Sequence, residues 1–338
     1  MGTAQPSARR RTLTRVHAPK AGGWLITTVT VNPSLDEWLQ LPRLRVGELN
    51  RATGSRRYPG GKGINVSRVV HELGEATLAV ACAGGDDGTI LTHLLNQQHI
   101  PHRVVTVAGS TRNNYQIRTE APPALTQINC AGPRLSAEAL AQLERLLCRL
   151  QSRSACMVFS GSLPPGATAT TYQRLIHRVK RGRILTALDA SGPALRAGLS
   201  AGPWFAKPNR PEAEELLGVR LRRRTDIIRA AKELVRRGPS LVMISLGAEG
   251  AVLASRDRHE VWWGIPPRVR VNSTVGAGDS TVAGFLVGWL RTRSLVQAFR
   301  LGLACGAAAV LTPGTELCHA ADIARLKPRI TIRSLPSA

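Results

Sequence analysis

The chain has 338 residues, with 46 basic side chains against 22 acidic ones, a formal charge of +24, few aromatics and abundant Ala, Val, Leu and Gly. That length allows one large domain or two smaller ones, and the composition suits an α/β layer architecture. No apolar run approaches the roughly 20 residues that span a bilayer, so the expectation is a soluble protein with no membrane partner. The positive charge would suit nucleic acid or an anionic ligand. Yet the arginines are scattered and no stacking aromatics are interleaved with them, so nucleic acid is not the expected partner. Arg222-Arg223-Arg224 and Arg236-Arg237 read as solvated helix faces or ends. The six cysteines (Cys82, Cys130, Cys148, Cys156, Cys305 and Cys318) form no Cys-x-x-Cys pair and no metal cluster with histidine, which points to a reducing, cytoplasmic setting.

Residues 1–23 contain Arg9, Arg10, Arg11, Arg15 and Lys20 and no acidic residue. Three readings stay open for this segment: a disordered tail, an organelle transit peptide, or an upstream start codon chosen in error. A first strand is expected over residues 24–31, rich in β-branched side chains and ended by Asn32-Pro33. Asp36 follows just past that strand end, where open α/β sheets place their ligands, although a turn-capping Asp is the plainer reading. Alternation through Trp38-Leu39-Gln40-Leu41 predicts a second, half-exposed strand, and glycine and polar punctuation up to Tyr58 predicts a small antiparallel excursion. Pro59-Gly60-Gly61-Lys62-Gly63-Ile64-Asn65 is glycine-rich but lacks Walker A spacing, and a helix continues from it. Strands are expected over 78–82 and 103–107, with a helix between them. A second excursion, 115–118 and 126–129, brackets Ala121-Pro122-Pro123.

From Ser136 the alternation is regular. Helices are expected near 140–150, 170–179, 212–217 and 225–237, and strands over 155–160, 184–188, 204–206 and 240–245. Repeated β-α units with short connections imply a parallel sheet with helices on both faces. Arg268-Val269-Arg270-Val271 reads as a further strand. Then comes Asn272-Ser273-Thr274-Val275-Gly276-Ala277-Gly278-Asp279-Ser280, with Val282, Phe285, Leu286 and Trp289 at helical spacing, so a buried helix should begin near Ala277. A helix start offers unpaired N–H groups and a positive dipole end, both of which favour phosphate. Asp279 is out of place at such an anion site unless it takes a proton from a hydroxyl that attacks the phosphate. The alternative is an ordinary glycine turn with an N-terminal acid.

Two blocks, Pro59-Gly60-Gly61-Lys62-Gly63-Ile64-Asn65-Val66-Ser67 and Ser273-Thr274-Val275-Gly276-Ala277-Gly278-Asp279, resemble the PfkB branch of the ribokinase-like sugar kinases. Between them, Ser160-Gly161-Ser162-Leu163-Pro164-Pro165-Gly166, Lys207-Pro208-Asn209-Arg210-Pro211-Glu212 and Ser245-Leu246-Gly247-Ala248-Glu249-Gly250 fall in the family's order. The resemblance runs from about residue 26 to residue 317 and looks closest to 1-phosphofructokinases and tagatose-6-phosphate kinases. It implies a three-layer α/β/α sandwich over residues 24–330, with a mostly parallel central sheet, a small β-sheet lid near 36–58 and 111–130, and a C-terminal tail over 331–338.

The resemblance also implies roles. Asp279 would be the catalytic base, and the N–H groups of Gly276, Ala277 and Gly278 its anion hole. Asp36, Gly60, Gly61, Lys62, Asn65, Arg112, Asn114 and Ser160 would hold the sugar phosphate. Lys207, Asn209, Ser245, Leu246, Gly247, Ala248, Glu249, Gly250 and Gly278 would hold ATP, with Glu212 serving Mg²⁺ through water. The implied partners are ATP, a small-molecule sugar phosphate and a second copy joined through the lid. The activity implied is conversion of fructose 1-phosphate to fructose 1,6-bisphosphate, with tagatose 6-phosphate and fructose 6-phosphate as rival substrates. A catalytically silent, basic nucleic-acid-binding or regulatory protein of the same fold is the non-enzymatic alternative, and the presence of every catalytic position argues against it.

Overall fold

The computed structural model describes residues 24–180, 184–258 and 260–335; the basic segment 1–23 and residues 336–338 lie outside it. The chain enters as β1 (Ile26–Thr30), passes through β2 (Ser34–Leu41) and β3 (Gly54–Gly60) into α1 (Lys62–Glu72), and returns as β4 (Thr77–Ala83), α2 (Gly85–Gln97) and β5 (His102–Thr106). β6 (Arg112–Glu120) and β7 (Pro123–Asn129) precede α3 (Ala137–Leu150), β8 (Cys156–Ser160), α4 (Thr171–Lys180), β9 (Leu185–Asp189) and α5 (Gly192–Ser200). Then come β10 (Phe205–Ala206), α6 (Arg210–Leu217), α7 (Arg224–Arg236), β11 (Leu241–Ser245), β12 (Ala251–Ser255) and β13 (Val261–Ile265). The described chain ends with α8 (Ala277–Thr292), α9 (Leu295–Ala309), α10 (Ala320–Leu326) and β14 (Thr331–Leu335).

The large sheet runs β14-β13-β12-β11-β10-β9-β8-β1-β4-β5. β1, wholly buried, pairs in parallel with β4 on one side and β8 on the other. The chain first works outward to β5 and then returns to β8 on the opposite side, so strand order reverses at β1. Open α/β sheets leave a crevice at the strand ends there. One apolar layer packs α3 to α7 on one face, and another packs α1, α8, α9 and α10 on the other. The result is a three-layer α/β/α sandwich. A second sheet, ordered β3-β2-β6-β7, is built from the two excursions expected in the sequence.

The central sheet is mostly parallel, as expected, but β11, β12, β13 and β14 pair antiparallel in succession at one end. β11 is joined to β12 and β12 to β13 by connections too short for a crossover helix, so these three strands form successive hairpins. Thr331–Leu335 is not a tail but the edge strand of that sheet, paired with β13. Residues 268–271 are not a strand; Arg268, Val269 and Val271 line the cavity instead.

Small residues set how α8 lies. A Cβ on Gly288 would come within 2.7 Å of Ala298 Cα, and one on Gly302 within 2.9 Å of the Thr281 carbonyl, so the α8–α9 backbones approach closely only with glycine there. Phe285 of α8 stacks on Phe205 of β10 with centroids 4.3 Å apart, and Trp204 and Trp289 pack beside them at 5.2 Å. These contacts fix the start of α8 over the strand ends.

Candidate active site

A cavity of about 1150 Å³ opens at the C-terminal ends of β1, β8, β9, β10 and β11, between the large sheet, the small sheet and the start of α8. Gly276 takes a left-handed conformation (φ +77°) that turns the chain into α8, and a Cβ there would strike Leu317. Ala277 and Gly278 line the cavity; Ala277 N–H donates to the Thr274 carbonyl at a long 3.4 Å, and the Gly278 N–H, in the first turn, has no partner within the helix. Lys207, at the end of β10, stands over this turn: a Cβ on Gly278 would lie 3.3 Å from its Nζ. Backbone donors, helix dipole and a buried ammonium thus converge on one spot, which suits the phosphates of a nucleotide.

Asp279 is buried in this first turn, and Asn65 Nδ2 donates to its Oδ2 at 2.8 Å. Burial pushes its carboxyl up to about 6, reinforced by the like charge of Asp189 and opposed by Lys62, the Asn65 hydrogen bond and Lys207. Asp189, at the end of β9, accepts from Lys62 Nζ at 3.1 Å and lies 3.6 Å from Lys207 Nζ. Burial alone would raise its carboxyl, but the two ammoniums outweigh it and hold the carboxyl below the usual range. Burial likewise opposes the charge on Lys62, and the carboxylates of Asp189, Asp279 and Glu212 outweigh it. Two carboxylates and two ammoniums therefore form a charge-balanced cluster beside the anion-binding turn. Asp189 escaped the sequence analysis as a functional residue; its only signal was its place at the end of a strand.

Asn65 is itself held. Arg68, fully inside the fold, donates to Asn65 Oδ1 at 3.4 Å, to the Thr315 carbonyl at 2.8 Å and to Gln98 Oε1 at 2.8 Å. Burial lowers its guanidinium to about 10, against the pull of Asp36. This arginine, too, carried no sequence signal beyond one apolar helix face.

At the small-sheet end, Asp36 Oδ1 accepts from Ser34 Oγ at 2.8 Å and from Asn114 Nδ2 at 3.3 Å, and burial raises its carboxyl. Gly60 is required behind it, because any Cβ there would overlap the Asp36 carboxylate. Arg112 lines the cavity but donates to the carbonyls of Asn32 at 3.0 Å, Cys130 at 3.1 Å and Pro33 at 3.4 Å. Its fork thus clamps the exit of β1 to the end of β7.

Gly61, Lys62, Asn65, Asn114, Lys207, Asn209, Ser245, Leu246, Gly247, Ala248 and Gly250 all line the same cavity. Four expected residues do not. Gly60 and Ser160 lie behind the wall, Glu249 pairs with Arg210 on the exposed side at 2.7 Å, and Glu212 closes a capping box at the head of α6. In that box Asn209 Oδ1 accepts from Glu212 N–H and Glu212 Oε2 accepts from Asn209 N–H, both at 2.8 Å. Among the described residues no group of three or more His, Cys, Asp or Glu could hold a metal unaided. That sparse donor set fits Mg²⁺, which keeps most of its waters and binds through nucleotide phosphates. Asn209 lines the cavity, whereas Glu212 stands behind it with Oε2 engaged in the capping box.

The profile of the pfkB family carbohydrate kinases matches residues 31–322. The chain belongs to that family. It is 38% identical to the ATP-dependent 6-phosphofructokinase isozyme 2 of Mycobacterium tuberculosis over 89% of this chain and 88% of that protein. It is 32% identical to the 1-phosphofructokinase of Bacillus subtilis over 92% of this chain and 100% of that one. The crystal structure of Escherichia coli phosphofructokinase-2 in complex with substrates and products superposes with a TM-score of 0.85 at 34% identity, covering 90% of this chain and 98% of that one. The pfkB kinase is therefore a phosphotransferase with an alcohol acceptor, and kinases of this family use ATP with Mg²⁺. The expected PfkB membership and α/β/α sandwich with a second small sheet hold.

Proposed function

We propose that the pfkB kinase phosphorylates a hexose monophosphate from ATP, with fructose 1-phosphate as its preferred acceptor and Asp279 as general base. The observation that carries this reading is the buried Asp279 carboxylate at an anion-binding helix start, flanked by the ammoniums of Lys62 and Lys207. ATP supplies the transferable phosphoryl group, and Mg²⁺ offsets the charge on its phosphates. Asp279 takes the proton of the attacking hydroxyl. The N–H groups of Gly276, Ala277 and Gly278 and the Lys207 ammonium steady the charge on the transferring group. The small sheet acts as a lid, whose closure limits attack by water.

Support for fructose 1-phosphate comes from Lys62, a point charge in the cavity within Gly61-Lys62-Gly63, a pattern resembling fructose-1-phosphate and tagatose-6-phosphate kinases. The higher identity to the M. tuberculosis enzyme favours fructose 6-phosphate as a second reading. Coupled ADP release with the three hexose phosphates side by side decides between them. The expected order of kcat/KM is fructose 1-phosphate, then tagatose 6-phosphate, then fructose 6-phosphate, and a lead for fructose 6-phosphate overturns the substrate assignment while leaving the kinase intact.

The lid also supports a homodimer. Strand register places Glu37, Tyr115 and Ile128 in one row, with Leu39 and Ile117 in the next, on the face turned away from the cavity. Tyr115 and Ile128 are exposed apolar groups there. An apolar sheet face of this kind buries itself well against its own copy. Sedimentation of the full chain should give a dimer, and Ile128→Lys should shift it to monomer. A wild-type monomer at micromolar concentration removes the lid-mediated dimer.

A further inference from the structure

At the small-sheet end of the cavity, the polar groups singled out by sequence are largely satisfied within the protein. Arg112 is spread over three carbonyls, and Asn114 gives its amide to Asp36 while its oxygen accepts from Cys130 N–H at 3.2 Å. Two oxygens in the wall are not satisfied. Gln116 Oε1 and Asn32 Oδ1 are both buried without a hydrogen-bond partner. Asn32 Oδ1 packs against the backbone of Gly132, where a Cβ would overlap it. Gln116 is different. Register puts Trp38, Gln116 and Gln127 in one row, one step along from the row of Asp36, Asn114 and Asn129. Side chains two residues apart on a strand share a face, so Gln116 looks the same way as Asp36 and Asn114, and its side chain lines the cavity although only 5% exposed.

A buried amide oxygen with no donor is uncommon, because it has given up water without a replacement. A ligand hydroxyl would supply the missing hydrogen bond. A hydroxyl suits either end of the amide, since it can donate to the oxygen and accept from the NH₂. We propose that Gln116 is a specificity-determining residue of the acceptor-sugar site, its Oε1 accepting from one hydroxyl of the hexose phosphate while the Asp36 carboxylate accepts from another. The inference rests on the hexose-phosphate reading above.

Gln116→Leu is the test, since leucine is close in volume and has no acceptor. Without ligand, its Tm should match or exceed wild type, because an unpaired buried oxygen has been removed. Its kcat/KM for the preferred hexose phosphate should fall about 10- to 100-fold, with KM for ATP within about twofold of wild type. A series of deoxy analogues then locates the contact. Wild type should lose at least about tenfold on the analogue that lacks the contacted hydroxyl, and Gln116→Leu should lose nothing further on that analogue alone. A lowered ligand-free Tm assigns Gln116 a structural role and overturns the proposal, as does equal loss across the whole series or an unchanged kcat/KM. If wild type turns over no hexose monophosphate, the function reading fails and this assignment with it. If wild type is active and Gln116→Leu is unimpaired, only this assignment fails.

Discussion

Asp279→Asn should lower kcat by about 10²–10⁴-fold, the usual worth of a positioned general base, while leaving the fold and ATP binding intact. The substitution removes the proton acceptor at the anion-binding turn but keeps shape and a group that can still accept from Asn65. Stability should hold or rise slightly at neutral pH. The Asp279 carboxyl is raised in the fold to about 6, so folding takes up a proton between its ordinary value and 6. Whatever stability the protonated form lends is present at low pH and lost as pH rises through 6. The same value sets the pH profile. Only the carboxylate can take a proton, so wild-type kcat/KM should fall about tenfold per pH unit below about 6, and this limb should vanish from the residual activity of Asp279→Asn. Coupled ADP release from pH 5 to 9 measures both. Turnover like wild type in the variant would remove Asp279 from its role.

Asp189→Asn should be the most destabilising single change at the site. It takes from Lys207, 4% exposed, the carboxylate 3.6 Å away and leaves Asp279 alone to balance two ammoniums, and removal of one partner of a buried pair typically costs about 3–5 kcal/mol. The low end, about 3 kcal/mol, is expected here, because Lys62 is 37% exposed and can rehydrate. The sign with pH follows from the Asp189 carboxyl being held below its ordinary value. Its contribution is fully present above the ordinary aspartate range and is lost as pH falls through its folded value. The gap between wild type and variant in urea unfolding should therefore be widest near pH 7 and close under acid conditions. A second effect separates charge from packing. Asp189 is a like charge that raises Asp279, so its loss should move the acid limb of activity to lower pH. A variant with unchanged stability and an unmoved limb would show that the two ammoniums do not depend on Asp189.

Much of the site was legible in the sequence because it is made of local backbone geometry. Gly276, Ala277 and Gly278 announce a turn into a helix, and Gly60-Gly61-Lys62-Gly63 a second close approach; both line or back the cavity as expected. The basic runs behave as read: Arg223 and Arg237 cap the two ends of α7, and Arg229 and Arg236 pair with acids one turn away. Asn209 and Glu212 match a family motif, and in the ligand-free fold they satisfy each other as a capping box, the reading that a first-turn acid also allows. The antiparallel end of the sheet was missed, although Ala251-Val252-Leu253-Ala254 and Val261-Trp262-Trp263 bracket a polar turn. Those runs lack the flanking helices that make a parallel unit easy to see.

By itself, then, the sequence determined what short-range physics controls: the β-α alternation, the glycine turns, the helix that starts at Ala277 and the carboxylate at its head. Only the tertiary structure decided what requires residues far apart in the chain to meet. Asp189, Lys62 and Lys207 come together because β9 and β10 end, and α1 begins, at one crevice, and Arg68 reaches Thr315 across 247 positions. Periodicity and turn chemistry act within a few residues, whereas a buried charge is stable only with a partner that folding alone supplies.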